Sequence, residues 1–209
     1  MVASSSVPGS AVPLPRRPLE AAGCGSDPVR RWYADALGWA AEPGPRGARL
    51  RTGVRFDVLE LPADAGFAML HRCDPRSPVA VRGETMQLLV AAGSADEVPG
   101  LLDWLEWGAL ATDLVALGAD GFIDAPTPPG WAGPQEAATW ARPPEPGRDL
   151  APVLPALTSL AAVSTSSAVG GGGGAPDLVR LVDTAATHCH RARLRRASAA
   201  PGPQPLAFS

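Results

Sequence analysis

Apolar residues recur with regular spacing from Pro28 to about Pro146, and the spacing itself predicts the elements. Val29, Trp32, Tyr33, Ala36 and Leu37 follow one another at helical intervals. Asp27 supplies an N-cap, Pro28 suits the first helical position and Gly38 closes the run, which predicts a short amphipathic helix. Arg55 to Leu61 (RFDVLEL) alternates with a period of two, so Phe56, Val58 and Glu60 share one face and Asp57, Leu59 and Leu61 the other. An acid on an otherwise apolar face sets this strand apart. Pro62 ends it, and Asp64 to Arg72 reads as a helix, completing a β-α step. Met86 to Ala91 reads as a second strand. It leads into Ser94-Ala-Asp-Glu97, spaced as a capping box in which Ser94 and Glu97 satisfy each other's orphan amides. Val98, Leu101, Leu102, Leu105 and Ala109 continue as the buried stripe of a helix. Asp113 to Leu117 and Phe122 to Ala125 read as strands joined by a Gly118 to Gly121 turn, and Thr139 to Arg142 as an edge strand.

The flanks carry a different pattern. Residues 1–27 are rich in Ser, Pro, Gly and Ala, a composition that buries too little surface to offset its ordering entropy, and read as a disordered leader. Residues 148–176, ending in the pentaglycine Gly170 to Gly174, read as a flexible linker. Asp177 can cap a last helix over residues 177–197, in which Leu178, Val182, Ala185 and Cys189 share a face. That face is short and its tether flexible, so the helix is expected to dock loosely. Residues 198–209 read as a disordered tail. The expected fold class is therefore α/β of the α+β kind: one compact sheet packed by helices over residues 28–147, with disordered Pro/Gly-rich ends.

Composition refines this picture. A chain of 209 residues, 45% of them hydrophobic, suffices for one domain of ordinary size. All 18 basic residues are Arg, a bias that a GC-rich genome produces by codon usage alone. The formal charge is −3, so no global positive field draws the protein to nucleic acid or to an anionic membrane, and any such binding must come from a local patch. Three scattered cysteines, Cys24, Cys73 and Cys189, have no ligand-like spacing and read as reduced thiols. No apolar run reaches the ~18 residues of a membrane span and no secretory leader is evident, so a cytoplasmic location without membrane partners is expected.

Candidate chemistry is sparse. His188-Cys189-His190 invites a zinc reading, but residues two apart on a helix lie about 200° around the axis, so the two imidazoles cannot face one ion. His71 and Cys73 read as surface residues. Arg191, Arg193, Arg195 and Arg196 form the one dense basic cluster, suited to phosphates or to the dipole at a helix C-terminus. Trp104 and Trp107 lie three apart on one helix. Core packing is the ordinary use for Trp104 beside Leu101 and Leu105, and a partner surface is open to Trp107. The pentaglycine precedes no Lys-Ser/Thr and is no phosphate loop.

In order, WYADALGW, TGVRFDVLELPADAGFAML, GETMQLLVAAGSADEVPGLLDWLEWGA and LVALGADGFIDAPTPPG resemble the bifunctional DNA primase/polymerase (Prim-Pol) domain of actinobacteria, over roughly Trp32 to Gly147. Only Ala40 to Arg51 stands where that family carries a longer insertion. The resemblance implies a primase–polymerase-like fold in which Asp-x-Asp on one strand and a third acid on a later strand hold two divalent ions, Mg²⁺ or Mn²⁺. The first acid falls on Glu60, the second on Pro62 and the third on Asp113. The family's phosphate-contacting Ser-x-His falls on Thr85-Met-Gln87, which makes Thr85 and Gln87 the nucleotide-binding candidates. Proline cannot ligate a metal and the imidazole is gone, so the site is degenerate.

Three functions follow as expectations. The leading one is a non-catalytic primase–polymerase-like domain that binds a nucleotide, nucleic acid or protein partner. The second is an active primase/polymerase in which Glu60, Asp113 and another acid, Asp57 or Asp64, hold metal. The third is a protein-interaction adaptor using Trp107 and the C-terminal helix. Fold alone does not choose among them.

Overall fold

The computed structural model describes residues 27–157 and 177–199; the expected leader, the pentaglycine and the last ten residues lie outside the described residues. The architecture is α+β, with two antiparallel sheets and four α-helices among the described residues. The larger sheet has the order β6 (Val115–Leu117), β3 (Phe56–Pro62), β5 (Thr85–Ala91), β4 (Val79–Arg82), β8 (Thr139–Arg142). The smaller has the order β1 (Ala41–Gly44), β2 (Gly47–Arg51), β7 (Phe122–Asp124). The helices are α1 (Pro28–Leu37), α2 (Ala63–Met69), α3 (Ser94–Trp104) and α4 (Leu178–Ala199).

Strand alternation on β3 divides the interior into two cores. Leu59 and Leu61 face one side with Leu88, Val90, Val98 and the apolar face of α4. Phe56 and Val58 face the other with Tyr33, Trp39, Leu50, Leu89 and Ile123. Each such side chain, fully buried, contributes about 1.5–3 kcal/mol. Helix α1 forms as its sequence predicts: Asp27 Oδ1 accepts the Val29 N–H at 3.0 Å, Pro28 opens the helix and Gly38 closes it at φ 65°. Its Tyr33 is fully buried and donates its hydroxyl to Pro126 O at 2.6 Å. Trp140 Nε1 donates to the same hydroxyl oxygen at 3.1 Å, tying α1 to the edge strand β8. Burial holds the Tyr33 phenol far above its ordinary range.

Several expectations are corrected. Helix α4 is part of the first core: Leu178, Leu181, Val182, Ala185, Cys189 and Ala192 are all buried within it. The apolar stripe runs a turn past Cys189, and the small Ala185 and Ala192 let α4 lie close against its neighbours. The expected linker does not begin at residue 148. Leu154 is buried in the second core, Val153 O accepts from the Ser77 hydroxyl at 2.8 Å, and Pro155 O accepts the Ala91 N–H at 2.9 Å. Strands β1 and β2 occupy the Ala40 to Arg51 segment, for which the sequence pattern predicts no element; β1 is an edge strand, where Pro43 costs no ladder bond. Strands β6 and β7 join different sheets, and Thr52 fixes the turn between them by donating its N–H to Gly121 O and its hydroxyl to Gly118 O.

Helix α3 departs from its sequence pattern at both ends. The residue preceding it is Gly93, at φ 86°, and no local side chain caps it, so the Ser94–Glu97 box is not formed. Trp104 lies off the stripe of Val98, Leu101 and Leu105 by helical rotation and is 72% exposed, whereas core packing was expected.

Candidate functional site

Pairing of β3 with β5 sets Glu60 opposite Gln87 and Pro62 opposite Thr85. Alternation then puts all four on the face of the second core, so the positions singled out on β3 and β5 do converge on two central strands. Gln87 is buried and donates its Nε2 to Glu60 Oε1 at 2.6 Å. Its Oε1 is buried without a partner among the described residues. Glu60 is half-buried at the open end of the pair.

Asp113 does not join them. Register between β3 and β6 sets Glu60 opposite Val115, which brings Asp113, two residues earlier, level with Pro62. Its carboxylate turns to α4, accepting from Arg196 Nη2 at 3.1 Å and facing Arg193 Nη2 at 3.6 Å. Helix α4 packs on the first-core side of the sheet and the Glu60–Gln87 pair lies on the second-core side. The two acids therefore act on opposite faces, each with a partner.

Mg²⁺ or Mn²⁺ does not fit this arrangement. Hard divalent ions need several oxygen ligands converging on one point. Glu60 is bound by an amide, Asp113 by two guanidinium groups, and Pro62 stands between them with no donor. Among the described residues no three His, Cys, Asp or Glu side chains gather so as to hold a metal ion. Asp57, weighed as a substitute ligand, is buried under α3, where its Oδ2 accepts the Ala95 N–H at 2.9 Å. Asp64 lines an open cleft of about 320 Å³ beyond Pro62, with Glu84 and Arg196.

On α4 the His188-Cys189-His190 run is helical, as expected, and the side chains diverge. Cys189 is buried, and burial, reinforced by Asp113 and Asp64, pushes its thiol up to about 12. His190 lies against Trp107 with ring centroids 6.0 Å apart, and Trp107 Nε1 donates to Asp183 Oδ1 at 2.9 Å. Burial also raises the Cys73 thiol, against the lowering effect of Arg142.

The basic cluster divides by helical angle. Arg193 and Arg196 turn toward Asp113, and Arg193 also donates to the Thr112 hydroxyl. Arg191 and Arg195 project from the opposite side of α4 and make no hydrogen bond or ion pair with another described residue. Two further arginines on that side, Arg72 and Arg180, were not singled out from the sequence. The 4, 4, 3, 4 spacing of Arg180, Thr184, His188, Arg191 and Arg195 was the legible signal. The contribution of Arg72 depends on how the turn after α2 packs and had no local signal. No protein-family model matches the chain, and no curated protein or solved structure is significantly similar to it.

Proposed function

We propose that the chain is a non-catalytic primase–polymerase-like domain with a binding role, its former metal-site positions converted to structural use. The observation that supports this reading is the engagement of both candidate acids by neighbours on opposite faces: Glu60 by Gln87, Asp113 by Arg193 and Arg196. Phosphoryl transfer by two ions requires carboxylates free to clamp the metals and triphosphate together. Here each carboxylate is already compensated, and the position between them is a proline. Loss of one electrostatic group of this kind costs about 10²–10³ in rate. Primer extension and de novo priming with Mg²⁺ or Mn²⁺ test the reading. The expected result is no extension by the natural protein, and none restored by Pro62→Asp with Gln87→His. Extension that Glu60→Ala abolishes would make the domain an enzyme.

A further inference from the structure

Helix α4 carries a polar row that includes three arginines along one solvent-facing side. Arg180, Thr184, His188, Arg191 and Arg195 follow at intervals of four, four, three and four residues, so they stack in one line. From Arg180 to Arg195 the line is about 22 Å long at ~1.5 Å per residue. The turn that follows α2 runs beside it. Arg72 and Arg180 line the same cavity of about 340 Å³, with Thr184 at its wall. Residues Pro62 to Asp64, at the start of α2, meet Arg196 near the other end of α4, so α2 lies antiparallel to α4 and the turn after it comes beside the first part of the row.

These cations are not spent on the fold. Among the described residues, the guanidinium groups of Arg72, Arg180, Arg191 and Arg195 form no hydrogen bond or ion pair. The two acids at the cavity are committed elsewhere: Asp74 is paired with Arg76, and Asp177 Oδ1 accepts the Val179 N–H at the start of α4. Residues 1–26, 158–176 and 200–209 contribute a single acid, Glu20, so they cannot neutralise four arginines. The crowding has a second signature: burial, then Arg191, Arg72, His71 and Arg195, hold His188 below the ordinary histidine range. Phe67 on α2 is 55% exposed and lies four residues before His71, an exposed residue whose charge reaches His188.

We propose that this ridge binds the backbone of single-stranded nucleic acid, with Arg72, Arg180, Arg191 and Arg195 on successive phosphates and Phe67 as a stacking platform for a base. Uncompensated arginines in a row attract a polyanion, and an exposed ring beside them adds affinity only for a strand whose bases are unpaired. The acidic remainder of the chain keeps binding weak. The proposal gives the binding role above a ligand class and a place, but it rests on the ridge alone and holds whether or not the chain extends primers.

Anisotropy of a labelled 20-nucleotide oligothymidylate, titrated with the full chain, tests it. Dissociation constants in the micromolar range or weaker are expected at physiological salt, with a log–log salt slope near −3, about −0.7 for each of four contacts. Arg72→Gln, Arg180→Gln, Arg191→Gln and Arg195→Gln together should abolish binding, with circular dichroism unchanged because all four side chains are exposed. Phe67→Ala should weaken it about tenfold. Arg193→Gln with Arg196→Gln, on the ion-paired side, should change it less than twofold. Binding that survives the quadruple variant would overturn the site. Equal binding of duplex with no effect of Phe67→Ala would overturn the single-strand assignment. Binding to phosphatidylserine vesicles without binding to the oligonucleotide would make the ridge a membrane contact instead.

Discussion

Asp57 Oδ2 accepts the Ala95 backbone N–H at 2.9 Å, so a strand acid caps helix α3 from 38 residues away in sequence. The cap replaces the local Ser94–Glu97 box and explains how an acid sits buried under an otherwise apolar helix face. An acceptor at a helix N-terminus satisfies an orphan N–H and meets the positive end of the dipole.

Asp57→Ala should therefore destabilise the protein by about 1–2 kcal/mol, as lost caps do. Ser94→Ala should cost less than about 0.5 kcal/mol, because its hydroxyl caps nothing. Urea denaturation of the two variants compares them directly. Equal losses would return the capping role to Ser94.

The same pair shows what the sequence could and could not reveal. Period-two alternation located β3 and β5, and cap residues located α1, because those signals are local. Which acid meets which partner is decided by packing between elements far apart in the chain. Asp57 and Glu60 look alike on RFDVLEL, yet one caps a helix and the other binds an amide, because they face opposite cores. Pro43 and Gly44 concealed β1 because turn-forming residues are tolerated on an edge. The stripe of α4 was visible, but its docking depended on small residues whose value appears only against a neighbour. Register sets the β3–β5 positions of the candidate site opposite one another, a relationship no local signal carries, whereas Asp113 is diverted by arginines that lie 80 and 83 residues on.

Docking of α4 can be read from Cys189. Its thiol, pushed up to about 12 by burial, is far less ionised at neutral pH than that of an ordinary cysteine. In a Cys24→Ser, Cys73→Ser background, iodoacetamide should modify Cys189 only at the rate at which the helix opens. Rapid labelling under native conditions would show α4 to be undocked.

Gly66 marks the contact of α2 with β5. A β-carbon there would stand 2.9 Å from Met86 Cβ and closer to its sulfur. Alanine favours a helix by about 0.5–1 kcal/mol over glycine, but overpacking of this kind costs about 1–3 kcal/mol. Gly66→Ala should therefore lower the melting temperature, and Gly66→Ala with Met86→Ala should not rescue it fully, since Met86 is itself buried.

His188 reports on the ridge. Burial first, then Arg191, Arg72, His71 and Arg195, lower its pKa, so the folded state binds a proton less readily than the unfolded chain. Its contribution to stability is present above the ordinary histidine value and is lost as pH falls through that range. An NMR titration should show His188 below the ordinary range, moving up in Arg191→Gln. Oligothymidylate should move it up as well, because neighbouring phosphates favour the imidazolium. A pKa unmoved by saturating oligonucleotide would place the strand elsewhere.

The Glu60–Gln87 hydrogen bond gives Glu60 a structural role that a double-mutant cycle measures. Gln87 is 2% exposed and its Oε1 already lacks a partner, so Glu60 supplies the only acceptor found for its amide among the described residues. Glu60→Ala would strand the buried amide and should cost about 1–3 kcal/mol. Gln87→Leu should cost less, because Glu60 is half-buried and can turn to water once released. With both changes no buried polar group is left unpaired, so the double variant should be more stable than Glu60→Ala alone, with a coupling energy of about 1 kcal/mol or more. Chemical denaturation of the four proteins completes the cycle. Strictly additive losses would mean that the pair carries no structural energy and that Glu60 is not held in place by Gln87.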